Sequence, residues 1–92
     1  MQELTHYING AHVAGASGRF SNVYNPATGE VQAKVPLASA DEMAQAVEIA
    51  AAAQVSWGAV NPQRRARVMM KFIDLLNRDM DALAEALSRE HG

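Results

Sequence analysis

Cysteine is absent from all 92 residues, so disulfide bridging, a thiolate metal site and a cysteine nucleophile are excluded from them. Aromatic residues are scarce at 5%, and Lys+Arg 8 nearly balances Asp+Glu 10 for a net charge of -2. That balance offers no cationic face for the phosphates of a nucleic acid. No apolar run approaches the roughly 20 residues of a membrane-spanning helix, and Met1-Gln-Glu-Leu-Thr-His6 lacks the basic and apolar parts of a secretory signal. The cytoplasm is therefore the expected compartment. What the chain has in quantity is apolar side chain, 49% of residues, too much at this charge for intrinsic disorder. At 9.9 kDa it is one small domain or part of a larger one.

The pattern changes near Pro36. Before it, short apolar stretches alternate with Gly, Asn, Pro and Ser; after it, Ala, Met, Leu, Glu and Arg recur at helical spacing. Thr5 to Ile8 and Ala11 to Ala14 flank Asn9-Gly10, a dipeptide that accepts positive φ at both centres of a type I′ turn, which predicts a hairpin. Residues 15–18 form a glycine-bearing loop in which Ser17→Ala is expected to be nearly silent. Phe20 to Asn25 and Glu30 to Val35 flank Pro26-Ala-Thr-Gly29 and predict a second hairpin, with Gly29 in the left-handed position.

Ser39-Ala-Asp-Glu42 fits a capping box, so a helix should start there, and Ser39→Ala should cost roughly 0.5–2 kcal/mol. Met43, Ala46, Val47, Ala50, Ala53 and Trp57 follow as one stripe expected to be buried, with a stop near Gly58. Asn61-Pro62 supplies an N-cap and a first-turn proline for a second helix through about Leu76 or Asn77. Its apolar residues, Val68, Met69, Phe72, Ile73, Leu75 and Leu76, spread wider than one stripe, as in a helix packed on two sides. Asn77-Arg78-Asp79 breaks the pattern, and Met80, Leu83, Ala84 and Leu87 define a third helix. Gly92 stands at its C-cap position. A Schellman cap would need one further amide, so the chain is expected to turn and continue. The reading is thus an α+β fragment of two N-terminal hairpins followed by three helices.

Chemistry is harder to find. His12 should lie opposite Tyr7 and His6 opposite Val13, which puts the two imidazoles on opposite faces and prevents a shared ion. His91 has only Glu90 beside it. Arg64, Arg65 and Arg67 form the one basic cluster, suited to phosphate or carboxylate. Two of them fall in a first helical turn, where the dipole disfavours cations, so carboxylates elsewhere in a larger protein suit them better. Gly15, Gly18 and Gly29 do not open a helix directly from a strand and make no phosphate loop. Met43, Met69, Met70 and Met80 read as core filler. Glu42, Glu48, Asp74, Asp79, Asp81, Glu85 and Glu90 read as helix faces and caps, with no pair set for general acid–base work. No catalytic, cofactor-binding or metal-ligating residue is assigned.

The order of landmarks says more. His6-Tyr-Ile-Asn-Gly10, Tyr24-Asn-Pro-Ala-Thr-Gly-Glu30-Val31, Val35-Pro36, the Ala-rich helix ending Ser56-Trp57, Arg64-Arg-Ala-Arg67-Val68 and Glu90-His-Gly92 together resemble the amino-terminal end of the aldehyde dehydrogenase superfamily. The likeness runs from about Thr5 to the last residue. Arg64 to Phe72 and Ser88 to Gly92 look most like its CoA-acylating branch, the methylmalonate-semialdehyde dehydrogenases. The resemblance implies the opening part, residues 1–92, of an NAD-binding domain in an α/β fold. It implies that a cysteine thiolate attacks the aldehyde, hydride passes to NAD, and the thioester is released to CoA or, in other branches, to water. The nucleophile, the oxyanion-holding asparagine and the cofactor turn have no counterpart in these residues, so the 92-residue chain alone is expected to be inactive. Its implied partners are the remainder of its own polypeptide and further copies in a homo-oligomer, with neither nucleic acid nor membrane. The alternatives are a branch using water as acyl acceptor, or a free-standing helical interaction module.

Overall fold

The computed structural model describes residues 2–92. Eight elements follow in order: β1 (Gln2–Glu3), β2 (His6–Ile8), β3 (Ala11–Val13), β4 (Phe20–Tyr24), β5 (Val31–Pro36), α1 (Ala40–Ala59), α2 (Pro62–Arg78) and α3 (Met80–His91). Both hairpins form as the turn chemistry requires. At the first tip Asn9 has φ 55 and Gly10 φ 74, and His6 pairs with Val13, Tyr7 with His12 and Ile8 with Ala11. At the second, the Asn25 carboxamide accepts from the Ala27 amide at 2.9 Å and Gly29, at φ 76, donates to the Asn25 carbonyl at 2.7 Å.

One strand has no signal in the sequence. Gln2 and Glu3 pair in parallel with Ala33 and Lys34 of β5, making a mixed three-stranded sheet in the order β1-β5-β4. β5 is central, and it carries the buried residues Ala33 and Pro36; Pro36 ends the strand, where its missing N–H costs least. A register shift between Val23 and Tyr24 leaves Gln32 outside the β4–β5 pairing. Its side chain reaches α3 instead, donating to the Arg89 carbonyl at 2.7 Å.

Helix starts follow their caps. Ser39 Oγ accepts from the Glu42 amide at 3.1 Å while the Glu42 carboxylate accepts from the Ser39 amide at 3.0 Å, the reciprocal pair of a capping box. Asn61 Oδ1 accepts from the Arg64 amide at 2.9 Å, with Pro62 in the first turn. α1 ends at Ala59, one residue past Gly58, and is capped by Val60 in extended conformation. Between α2 and α3 stands the single residue Asp79, at φ -102 and ψ 18. Its carboxylate is held by the Arg78 guanidinium at 3.0 and 2.9 Å, so α3 begins without a side-chain cap.

Ser17 is not a passive loop residue. Its hydroxyl donates to the Leu37 carbonyl and accepts from the Arg19 amide at 3.1 Å, tying the loop to the end of β5. Removing a half-buried hydroxyl with two partners leaves both unsatisfied, so Ser17→Ala is expected to cost about 0.5–1.5 kcal/mol. Ser39→Ala is expected to cost about 0.5–2 kcal/mol. Amide exchange should locate the two losses separately, at residues 15–19 and 37 for the first and in the first turn of α1 for the second. An unchanged loop in Ser17→Ala would restore the silent expectation.

The shape is the main departure from expectation. The Cα radius of gyration is 16.9 Å where a compact chain of this length has about 12 Å. The molecule is a plate of 47 × 35 × 16 Å, too thin for a second layer over the helices. Met43 is 62% exposed, Val47 56%, Met70 63% and Phe72 50%. Most of the stripe of α1 expected to be buried, Ala46 excepted, and the methionines expected to fill a core are therefore bare. No residue of α1, α2 or α3 is buried, because nothing within the described residues lies over those faces.

Candidate functional site

The most highly connected polar group is Glu42, in the first turn of α1. β2, the loop after β3 and the start of α1 all converge on its carboxylate. Oε1 accepts from the Ser39 amide at 3.0 Å, Oε2 accepts from the Ala16 amide at 3.2 Å, and His6 Nε2 lies 3.7 Å from Oε2. Strand alternation brings His6 here and sends His12 to the other face, where its ring meets Tyr7 edge-on at 5.2 Å between centroids and its Nδ1 lies 2.9 Å from Thr5 Oγ1. The α1 surface beside the hairpin is carried by Glu42, Gln45, Ala46 and Ile49, with Met43 also lining the hollow against His6, Tyr7 and Ile8, so it overlaps the expected stripe only at Met43 and Ala46.

The Ser39 amide holds Glu42 below its ordinary pKa of 4.5, against the opposing effect of burial; the Ala16 amide, the Ser39 hydroxyl and His6 add to the lowering. A carboxylate with a depressed folded pKa stabilises above the unfolded value and loses that contribution as pH falls through the folded one. The junction of loop, hairpin and helix should therefore hold at neutral pH and open below about pH 4.5, the unfolded-state value. Amide exchange at Ala16 and Ser39 measures it. Glu42→Gln should flatten that acid dependence, and a variant that kept the full dependence would remove Glu42 as its source.

Glu42 is a structural junction rather than a reactive centre. Its two carboxylate oxygens each accept from a backbone amide, and among the described residues no group of three or more His, Asp or Glu could hold a metal ion. Nor do these residues suit a dinucleotide. The α1 N-terminus, the one reached from a parallel strand, is filled by its own capping box and carries Asp41 and Glu42 in its first turn, which would repel a pyrophosphate. Gly10, Gly18 and Gly29 have positive φ and lie in turns and loops, none of them opening a helix.

The basic cluster behaves differently. Among the described residues Arg64, Arg65 and Arg67 are in none of the ion pairs formed, and Arg65 Nε is shielded from water without an acceptor. Beside them Val68, Phe72 and Leu75 line an open apolar hollow with Arg67 and Lys71. Sequence reasoning found these residues and the surplus apolar face of α2, but it missed the Glu42 junction beyond its capping role. The Ala16 and His6 contacts are long-range and leave no trace in local spacing.

A sheet with one central strand and three helices bare along their apolar faces define an α+β segment of a larger α/β protein. The pattern of the aldehyde dehydrogenase family matches residues 12–92. The chain belongs to that family. It is 40% identical over all 92 residues to a malonate-semialdehyde dehydrogenase of Pseudomonas aeruginosa and 42% identical over 89 residues to one of Geobacillus kaustophilus. In each case it spans 18% of the relative's length. Among solved structures it superposes, with a TM-score of 0.96 and 65% identity, on a Sinorhizobium meliloti protein described as a methylmalonate-semialdehyde dehydrogenase and complexed with NAD. All of this chain and 19% of that one are covered. The methylmalonate-semialdehyde dehydrogenase of Oceanimonas doudoroffii gives a TM-score of 0.94 at 39% identity, again over all of this chain and 19% of that one. The α+β segment matches the amino-terminal part of such structures.

Proposed function

We propose that the chain is the opening part of the NAD-binding domain of a cytoplasmic, homo-oligomeric semialdehyde dehydrogenase. This enzyme oxidises malonate or methylmalonate semialdehyde with NAD and passes the acyl group to CoA. The observation that carries this reading is the 65% identity, along the whole chain, with the Sinorhizobium meliloti protein. Residues 1–92 act as a platform: β5 and the capped α1 set the frame, and the bare faces of α1, α2 and α3 receive the rest of the polypeptide. The nucleophilic cysteine, the oxyanion-holding asparagine and the cofactor turn belong to that remainder, and no step of the chemistry is assigned to the residues described. The test is NADH formation with and without CoA by the chain extended in its natural reading frame, with identification of the acyl product.

A further inference from the structure

The Asn9-Gly10 tip has features that the proposed function does not use. Asn9 and Gly10 are both exposed, and a Cβ placed on Gly10 would meet nothing within 4 Å. Among the described residues, neither the Gly10 amide nor the Asn9 carboxamide makes a hydrogen bond outside the strand ladder. The other asparagines are differently placed. Asn25 and Asn61 precede Pro26 and Pro62, whose nitrogens carry no proton to lose, and Asn22 and Asn77 precede the bulkier Val23 and Arg78. Only at Asn9 does an unhindered, unbonded backbone amide follow an unbonded carboxamide.

We propose that Asn9 is a site of spontaneous covalent modification that converts it to aspartate and isoaspartate, and that isoaspartate there unseats the β2–β3 hairpin. The Gly10 nitrogen, after losing its proton to solvent base, attacks Asn9 Cγ; the Cγ–Nδ2 bond breaks and ammonia leaves, closing a five-membered succinimide. Water then opens the ring at Cγ to give aspartate or at the backbone carbonyl to give isoaspartate. Water is the only co-reactant and no electrons are transferred. Ring closure requires the Asn9–Gly10 torsion to leave its turn conformation, and only three residue pairs hold the hairpin against that opening. Isoaspartate routes the backbone through Cβ, adding a methylene to a two-residue turn whose paired positive φ values set the strand register. The strand it releases is the one that carries His6 to Glu42.

The experiment ages the chain extended in its natural reading frame in mildly alkaline buffer at physiological temperature beside its Asn9→Gly variant, which keeps a turn-compatible residue, and beside a free peptide of residues 5–14. Isoelectric focusing, peptide mapping and enzymatic methyl labelling of isoaspartyl groups follow the conversion. The expected result is one added negative charge and isoaspartyl label at Asn9, faster with rising pH, with no such label at position 9 in Asn9→Gly. Intact Asn9 in the chain while the peptide converts would overturn the proposal by showing that the turn holds the Gly10 nitrogen away. Conversion at Asn22 or Asn77 ahead of Asn9 would overturn it as well. In the isoaspartyl product, amide-exchange protection of β2 should be lost; retained protection would refute the loss of register.

Discussion

Purified and given NAD, CoA and malonate semialdehyde, the 92-residue chain is expected to form no NADH above a heat-killed control. The same chain extended through its natural reading frame is expected to form NADH and an acyl-CoA. The first outcome follows from composition: no cysteine is present, and losing a covalent nucleophile costs on the order of a millionfold in turnover. The second rests on the proposed membership of the CoA-acylating branch. There the acyl group stays on the enzyme until a thiol accepts it, so withholding CoA should suppress steady-state turnover. A branch that uses water would turn over fully without CoA and release free acid. That product would overturn the CoA assignment and leave the family intact, whereas NADH production by the 92 residues alone would overturn the platform reading.

The isolated chain should also be unable to remain a well-behaved monomer. Its accessible surface is 7410 Å², while a compact monomer of this mass exposes about 5,200 Å². The surplus, on the order of 2,200 Å², is more than twice the roughly 800 Å² that one partner contributes to an ordinary interface. A single dimer contact would not cover it, which favours the remainder of the polypeptide as the natural cover. Without that cover, Val68, Phe72, Met43 and Val47 face water, and such patches drive association. Concentration-dependent self-association and binding of an apolar dye are expected in sedimentation and fluorescence, with no sharp thermal transition. Phe72→Asp should reduce the association strongly while α2 keeps its helicity, since the position is half-exposed. A reversible, monomeric, cooperative melt of the unaltered chain would instead support the free-standing module.

Local rules were legible in the residues themselves. Asn9-Gly10 and Pro26 to Gly29 specified their turns because backbone conformations with positive φ admit few residue types. Ser39 with Glu42, and Asn61 with Pro62, specified two helix starts because the first amides of a helix need acceptors that only certain side chains supply. The alternation of the first hairpin alone separates His6 from His12. Gly58 marked the end of α1 to within one residue, although Val60 and not the glycine is the cap, since a glycine inside a good helix former costs only about 1 kcal/mol.

The sequence by itself determined the two hairpins, the three helices, the N-caps of the first two, and the absence of thiol chemistry from these residues, all of which depend on neighbours a few positions apart. Only the tertiary structure decided that Gln2 and Glu3 join β5, that Ser17 fastens the loop to Leu37, that Glu42 gathers Ala16 and His6, and that the apolar helix faces are bare. Those outcomes depend on contacts between distant positions and on which layer covers which face. An apolar stripe records that a face should be covered, but what covers it is a property of the assembled fold.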